Sequence, residues 1–301
     1  MPFLQVLADI LLPVFVIVGI GAVAARRLSL DAQTLSKLAY WIVGPAFVFD
    51  ILAGADLGAA LVGKVAGVTL VAMAATGVVA AVAARVSGAP AATAAATVLT
   101  SIYGNVGNFG LAIVAFTFGT DALALAGVVL VVVNVVGIIV GVAAARWEHH
   151  GAASAVRRAL TAPMTLAAIP ALVVNAGGWT LPLWADRAVG LLATALIPLM
   201  LLTLGVQLAA MRSPKPTVDT IRALVVKLAV APAVATVAAV AAGLEGTDAG
   251  VVVLQFAMPP AVFTALIALE HDLAPDLVAT TVLVGTVASV VTLPLVILWL
   301  G

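Results

Sequence analysis

The residues best suited to bind a ligand lie between Tyr103 and Gly110, inside the long apolar run 89–118. This stretch carries three glycines and two asparagines, Asn105 and Asn108, where a membrane helix ordinarily carries leucine or valine. Each glycine costs about 1 kcal/mol of helix propensity. Because lipid offers no water to an interrupted backbone, irregular chain at membrane depth survives only where it is buried in protein or lines a cavity. The pattern therefore predicts a broken helix that forms half of a binding site.

A second interruption is predicted in the apolar run 248–269, where Pro259 and Pro260 remove two backbone donors. Each break starts a new helix near the middle of the membrane. A helix N-terminus carries about half a positive charge and free N–H groups, which suits an anion. Asn105 and Asn108 can cap exposed backbone groups at the first break. We expect no basic residue near the middle of any span, so the two crossed helix ends would bind a carboxylate without buried arginine or lysine.

Further side chains near the two breaks complete the predicted site. Gln255 lies one turn before the prolines, and we expect it to face the cavity. Tyr103 and Phe263 either form an apolar wall for the ligand or pack in the core, and Asn134 either bonds a neighbouring helix or lines the cavity. The predicted substrate contacts are Tyr103, Asn105, Gly107, Asn108, Gln255, Pro259, Pro260 and Phe263.

A separate polar cluster, Asp50, Asp56 and Lys64, is expected near the outer membrane surface. It is either a solvated group of loop residues or a titratable set that supports coupling and tunes access to the site from outside. Both alternatives stay open at the level of the sequence.

The elements that position these residues follow from the composition, which is typical of a polytopic membrane protein. Of the 301 residues 64% are hydrophobic and 9% charged, and the mean hydropathy is +1.29, whereas a soluble domain is about half apolar and a quarter charged. The zero net charge makes nucleic acid an unexpected partner. Since the chain has no cysteine and no histidine in a predicted span, we expect no metal site, no cofactor and no enzymatic activity.

The apolar runs predict an all-α fold of ten transmembrane helices within a single membrane domain, residues 1–301. A span needs roughly 20 apolar residues. We expect residues 3–24 to be a true first span, because the basic pair Arg26 and Arg27 follows the apolar run and does not precede it. The predicted spans are 3–24, 34–53, 60–84, 89–118, 122–145, 159–177, 187–210, 220–243, 248–269 and 274–300.

The distribution of basic residues predicts the orientation in the plasma membrane. With the N-terminus outside, all lysines and arginines except Lys64 and Arg187 fall on the inner side, Lys227 among them. Ten spans then place the C-terminus outside as well.

The second half of the chain resembles an inverted copy of the first. Residues 3–147 and 158–300 each contain five predicted spans, and the fourth span of each half carries a helix-breaking cluster. An odd number of spans in each repeat turns the second repeat upside down, as in many secondary transporters. Prolines are common in membrane helices, so one shared proline would mean little. Here the two halves agree in the number of spans, in length and in the position of the helix-breaking cluster.

The sequence resembles the auxin efflux carrier family over its whole length. The segment from Asn105 to Leu111 is similar to the family's Asn-x-Gly-x-x-Gly-Leu-Pro motif, with Ala112 in place of the proline, so the break here must depend on glycine and asparagine. The segment from Ala257 to Ala261, with its Met-Pro-Pro, is similar to the proline-bearing crossover of the ninth span.

The resemblance implies a carrier for small organic carboxylates, of the malate or malonate type in bacterial members and auxin-like in plant members. It implies a scaffold of spans 1, 2, 6 and 7 that also forms a homodimer in the lipid, and a transport part of spans 3–5 and 8–10 that moves like an elevator. It implies substrate contact at Asn105, Asn108, Pro259 and Pro260.

The sequence leaves two alternative functions open. A sodium-coupled carrier of the bile-acid type has a similar crossed-helix plan, but it would usually carry more carboxylates near the crossover. A membrane receptor or subunit without transport activity would be expected to have a long cytoplasmic loop or an output domain.

Overall fold

The computed structural model describes residues 2–55, 57–145, 157, 159–211 and 215–301. These described parts are helical and contain no strand. The helices are α1 (Phe3–Leu28), α2 (Ala32–Ala53), α3 (Ala59–Val86), α4 (Ala91–Ile102), α5 (Val106–Phe118), α6 (Leu123–Ala145), α7 (Pro163–Ala176), α8 (Leu183–Ala210), α9 (Val218–Ala241), α10 (Gly246–Ala257), α11 (Val262–Glu270) and α12 (Pro275–Leu300).

Seven of these helices are long and apolar enough to cross a membrane, namely α1, α2, α3, α6, α8, α9 and α12. The predicted span 89–118 is divided into α4 and α5, and the predicted span 248–269 is divided into α10 and α11. The two predicted helix interruptions are therefore present. The predicted span 159–177 is represented by the shorter helix α7.

Two helices begin at side chains that accept hydrogen bonds from the first turn. Asp31 precedes α2, and its carboxylate accepts from the backbone N–H of Thr34 at 2.8 Å and from the Thr34 hydroxyl at 2.6 Å. The hydroxyl hydrogen bond is the largest cause of the lowered pKa of the Asp31 carboxyl group. Thr217 precedes α9 and shares a capping box with Thr220. These caps fix where α2 and α9 enter the bundle.

The helices α1, α2, α7 and α8 pack together as one group. Glycines allow α1 and α8 to approach closely, because a Cβ atom on Gly21 would collide with the carbonyl oxygen of Leu202. In the reverse direction, a Cβ atom on Gly205 would collide with the carbonyl oxygen of Val18. Small residues at such contacts are a common way for membrane helices to pack, since the backbones gain van der Waals contact.

The remaining helices form a second group in which α3 packs against α4, α6 and α9, and α10 packs against α9 and α6. The two helix interruptions meet within this group, where an isolated backbone bridge joins Gly104 and Pro260. The crossing therefore lies inside the second group, on the side that faces α2 and α8.

Candidate functional site

The two interrupted helices cross at their breaks and are joined there by backbone hydrogen bonds. The backbone N–H of Asn105 donates to the carbonyl oxygen of Pro259 at 2.7 Å, and the N–H of Ala261 donates to the carbonyl oxygen of Tyr103 at 2.9 Å. The two segments run antiparallel around the Gly104–Pro260 bridge. Backbone groups that would be orphaned inside a membrane therefore satisfy each other, which allows both helices to be broken at this depth.

The first break is short and is made without proline. Helix α4 ends at Ile102, and Tyr103 has φ −101° and ψ 83°, outside the helical region. The chain becomes helical again at Val106, where the N–H of Gly110 donates to the carbonyl oxygen of Asn105 at 2.9 Å. Ala112 stands where the similar family motif has proline. The break is therefore made by glycine and asparagine, as predicted.

A cavity of about 400 Å³ lies against the crossing. The first break forms one wall, and helices α6 and α11 continue it. The opposite wall comes from α2, α7 and α8, and it extends to the exposed Lys37 in the first turns of α2. The cavity thus lies between the two helix groups. The side chains of the first break that line it are Tyr103, Asn105, Val106 and Asn108, together with Gly104 and Gly107.

Asn105 is a buried polar residue of the cavity wall whose side-chain amide has an unpartnered donor among the described residues. It is only 4% exposed, it lines the cavity, and its Nδ2 donates to no described residue. The prediction that Asn105 caps the new helix is wrong, because its side chain makes no cap hydrogen bond. A buried amide donor without a partner costs about 1–3 kcal/mol, so a carboxylate in the cavity would recover part of that free energy.

Tyr103 and Phe263, for which the sequence left an apolar wall or core packing open, pack against each other, and Tyr103 is also part of the buried core. Their ring centroids lie 5.8 Å apart at an interplanar angle of 68°, and both side chains line the cavity. The Tyr103 hydroxyl donates to Oδ1 of Asn134 at 2.6 Å. Asn134 therefore bonds a neighbouring helix and also lines the cavity, so both alternatives for this residue hold. Contact of these residues with a substrate stays a prediction.

The second break contributes less to the cavity than the sequence predicted. Pro259 and Pro260 do not line it, although Ala261 does. The prediction that Gln255 faces the cavity is wrong. Its side chain is fully buried and packs against Gly110, and neither of its amide atoms has a hydrogen-bond partner among the described residues.

Lys227 is a buried basic residue at the crossing that the sequence pattern did not reveal. It lies in α9 and is 1% exposed, so the prediction of no basic residue near the middle of a span is wrong, as is its assignment to the inner surface. Its Nζ donates to the carbonyl oxygen of Phe256 at 3.0 Å and lies 5.9 Å from the centroid of the Phe256 ring. The crossing therefore contains an amine in addition to the helix ends.

A local signal for this contact exists in the sequence. In a continuous helix the carbonyl oxygen of Phe256 would accept from the backbone N–H four residues later, but that residue is Pro260, which has none. The orphaned carbonyl needs another donor. The missing donor at Pro260 can be read from the sequence, but the lysine cannot, because it approaches from 29 positions earlier in the chain.

The proposed coupling cluster is not assembled around the cavity. Nζ of Lys64 donates to the carbonyl oxygen of Gly243 at 3.4 Å, and the described side chains include no ion pair between Lys64 and Asp50. Neither residue lines the cavity, and Asp56 lies outside the described residues. As for metals, no group of three or more His, Asp or Glu side chains that could hold an ion occurs in the described ranges.

Two comparisons with known proteins bear on this site. A family model described as membrane transport protein matches residues 6–297. An uncharacterized transporter of Methanothermobacter thermautotrophicus is 30% identical over 140 residues, which cover 46% of this chain and 46% of that relative. That match thus spans about half of each protein, whereas the family model spans nearly all of this chain and includes both halves of the crossing.

Proposed function

The chain belongs to the membrane transport protein family, the auxin efflux carrier family, and from that premise we propose that it is a secondary carrier for a small organic carboxylate. The observation that carries the proposal is Asn105, a buried residue of the cavity wall beside the crossing whose Nδ2 has no hydrogen-bond partner among the described residues. An amide donor of this kind suits a carboxylate oxygen, because a hydrogen bond to a charged group is worth about 1.5–3 kcal/mol.

Helix N-termini add to this preference for an anion. Helix α5 starts after Asn105 and α11 starts after Ala261, and both starting points line the cavity. Their first N–H groups and helix dipoles favour negative charge. The aromatic wall of Tyr103 and Phe263 would contact the carbon skeleton of the substrate.

The transport cycle that we propose is an elevator movement of a ten-span protein built from two inverted repeats. In that arrangement α4 with α5 and α10 with α11 form the fourth and ninth spans, and α7 forms the sixth. The grouping of α1, α2, α7 and α8 apart from the other helices supports a fixed scaffold and a moving part. A cavity between two such groups can open to one side and then to the other as one group slides.

The proposed orientation places both termini outside the plasma membrane, and the cavity mouth at Lys37 would then face the cytoplasm. Because the chain has no cysteine, single cysteines can report the sidedness. Ser29→Cys should be protected from an impermeant maleimide in intact cells, and Asp121→Cys should be labelled. The opposite pattern would invert the proposed orientation. A homodimer formed through the scaffold is proposed from the family resemblance alone, and cross-linking in membranes would test it.

The carrier function can be tested by counterflow in proteoliposomes. Liposomes loaded with unlabelled malate, malonate or indole-3-acetate should accumulate the labelled compound transiently, which requires a carrier and no particular coupling ion. Asn105→Ala and Asn108→Ala should reduce the rate by about 10- to 100-fold, the equivalent of one charge-assisted hydrogen bond. Gln33→Ala, at the exposed cavity mouth, is the control and should stay near the wild-type rate. No counterflow of any carboxylate by the folded wild type would refute the proposal.

A further inference from the structure

We propose that Lys227 links proton binding to anion binding, so that protonation of its amine and occupation of the cavity by a carboxylate favour each other. The inference rests on the proposed function, because it requires a carboxylate in the cavity. It goes further by assigning to one buried residue both a part in anion selectivity and a pH dependence.

Lys227 reaches the cavity wall from behind. A Cβ atom added to Gly104 would lie 2.8 Å from Nζ of Lys227, and Gly104 itself lines the cavity. Since Gly104 has no side chain, only the backbone of the first break separates the amine from the cavity. Lys227 does not line the cavity, so it acts on a ligand through the crossing and is a positioning residue.

The amine has little to balance its charge. It donates to the Phe256 carbonyl, at the C-terminal end of α10, where the helix dipole gives modest support to a cation. No ion pair among the described residues includes Lys227. An ammonium group taken out of water without a counter-charge costs free energy, which a nearby anion can offset.

The other ionisable groups on the helices around Lys227 lie near helix ends. On its own helix, Asp219 and Arg222 form an ion pair with each other. Helix α4 carries no charged residue, and the Tyr103 hydroxyl donates to Asn134. The charged residues of the other packed helices are Lys64 and Arg85 of α3, Asp248 of α10, and Asp276 of α12.

A carboxylate in the cavity would therefore be the nearest full negative charge. Charges separated by a single backbone segment in a partly dry interior interact strongly. Coupling free energies between two sites typically correspond to a 5- to 150-fold change in affinity, and they are reciprocal. Carboxylate affinity should thus fall as the pH rises and the amine loses its proton, and binding should take up as much as one proton from water.

Titration calorimetry of the purified full chain tests this linkage directly. Malate, malonate and indole-3-acetate are titrated between about pH 7 and 9, where their carboxylates are ionised. At each pH, buffers of different ionisation enthalpy give the number of protons taken up. The wild type should take up protons over part of this range and bind more weakly at higher pH.

Two variants separate charge from protonation. Lys227→Arg keeps a charge that does not titrate, so it should bind without proton uptake and with an affinity that does not change with pH. Lys227→Gln should bind about 5- to 150-fold more weakly, again without pH dependence. Arg85→Gln removes an exposed positive charge of α3 that does not line the cavity and should keep the wild-type proton uptake.

The outcomes distinguish this inference from the proposed function. Binding by the wild type without proton uptake at any pH in the range would overturn the inference and leave the carrier function intact. Proton uptake that persists in Lys227→Arg would overturn it as well. If none of the three carboxylates binds the wild type, the proposed substrate class fails, and the linkage fails with it.

Discussion

The two broken helices reach the same crossing by different chemistry. The first break uses glycine and asparagine, and its residues form much of the cavity wall. The second uses Pro259 and Pro260, which stay off that wall, and its orphaned Phe256 carbonyl accepts a hydrogen bond from Lys227. Since both breaks need their backbone groups satisfied, the difference indicates a division of roles. The first break presents side chains to the cavity, and the second holds the crossing in place.

The strongest test of this comparison is a side chain inserted at the crossing point itself. Gly104→Leu would push against Lys227 and against the carbonyl oxygen of Gln255, which is 3.5 Å from the added Cβ position. Overpacking of this kind costs about 1–3 kcal/mol, so the thermal midpoint should fall and carboxylate binding should be lost.

The control for that variant is Gly67→Leu in α3, where an added Cβ atom meets nothing within 4 Å. Equal thermal midpoints and equal binding for the two variants would show that the crossing is not tightly packed. Thermal-shift assays with and without carboxylate measure both properties.

A smaller effect is expected at the aromatic wall of the first break. Tyr103→Phe keeps the ring beside Phe263 but removes the hydrogen bond to Asn134. A lost hydrogen bond of this kind costs about 0.5–1.5 kcal/mol, so the affinity for a carboxylate should fall by roughly 2- to 10-fold. Tyr40→Phe alters the other tyrosine of the same cavity, whose hydroxyl bonds no described side chain, and should have little effect. A larger loss of carboxylate affinity in Tyr40→Phe than in Tyr103→Phe would contradict the assignment of Tyr103 to the binding wall.

The second break should tolerate the loss of its polar side chain. Gln255→Met replaces a fully buried amide whose atoms lack partners with an apolar side chain of similar volume, which removes the desolvation cost of the amide. The thermal midpoint should stay the same or rise, and affinity should stay within about 3-fold of the wild type. A large loss of binding would mean that Gln255 contacts the substrate after all, as the sequence first suggested.

The smallest effects are expected outside both breaks. Asp50→Asn and Lys64→Gln change residues that do not line the cavity and are not paired with each other. Uptake into proteoliposomes driven by a pH gradient should therefore stay near the wild-type rate for each. Loss of uptake in either variant would restore the coupling role that the sequence left open.

Much of the architecture follows from the sequence alone. Apolar runs separated by charged residues define the helices, because the hydrophobicity of each residue contributes separately to the stability of a helix in lipid. Both interruptions follow as well, since glycine, asparagine and proline act on their own backbone. The candidate role of Asn105 needed only its residue type and its place in an apolar run.

Only the tertiary structure decided which side chains face the cavity and which face the crossing. Gln255 packs against Gly110 and does not line the cavity, and the Asn105 side chain makes no cap hydrogen bond. In the sequence, Lys227 has the position of a surface residue at the end of an apolar run. Only the packing of α9 against α10 shows that it is buried. Its contact with Phe256 joins residues far apart in the chain, and such contacts depend on how helices are arranged in space, which composition and spacing do not specify.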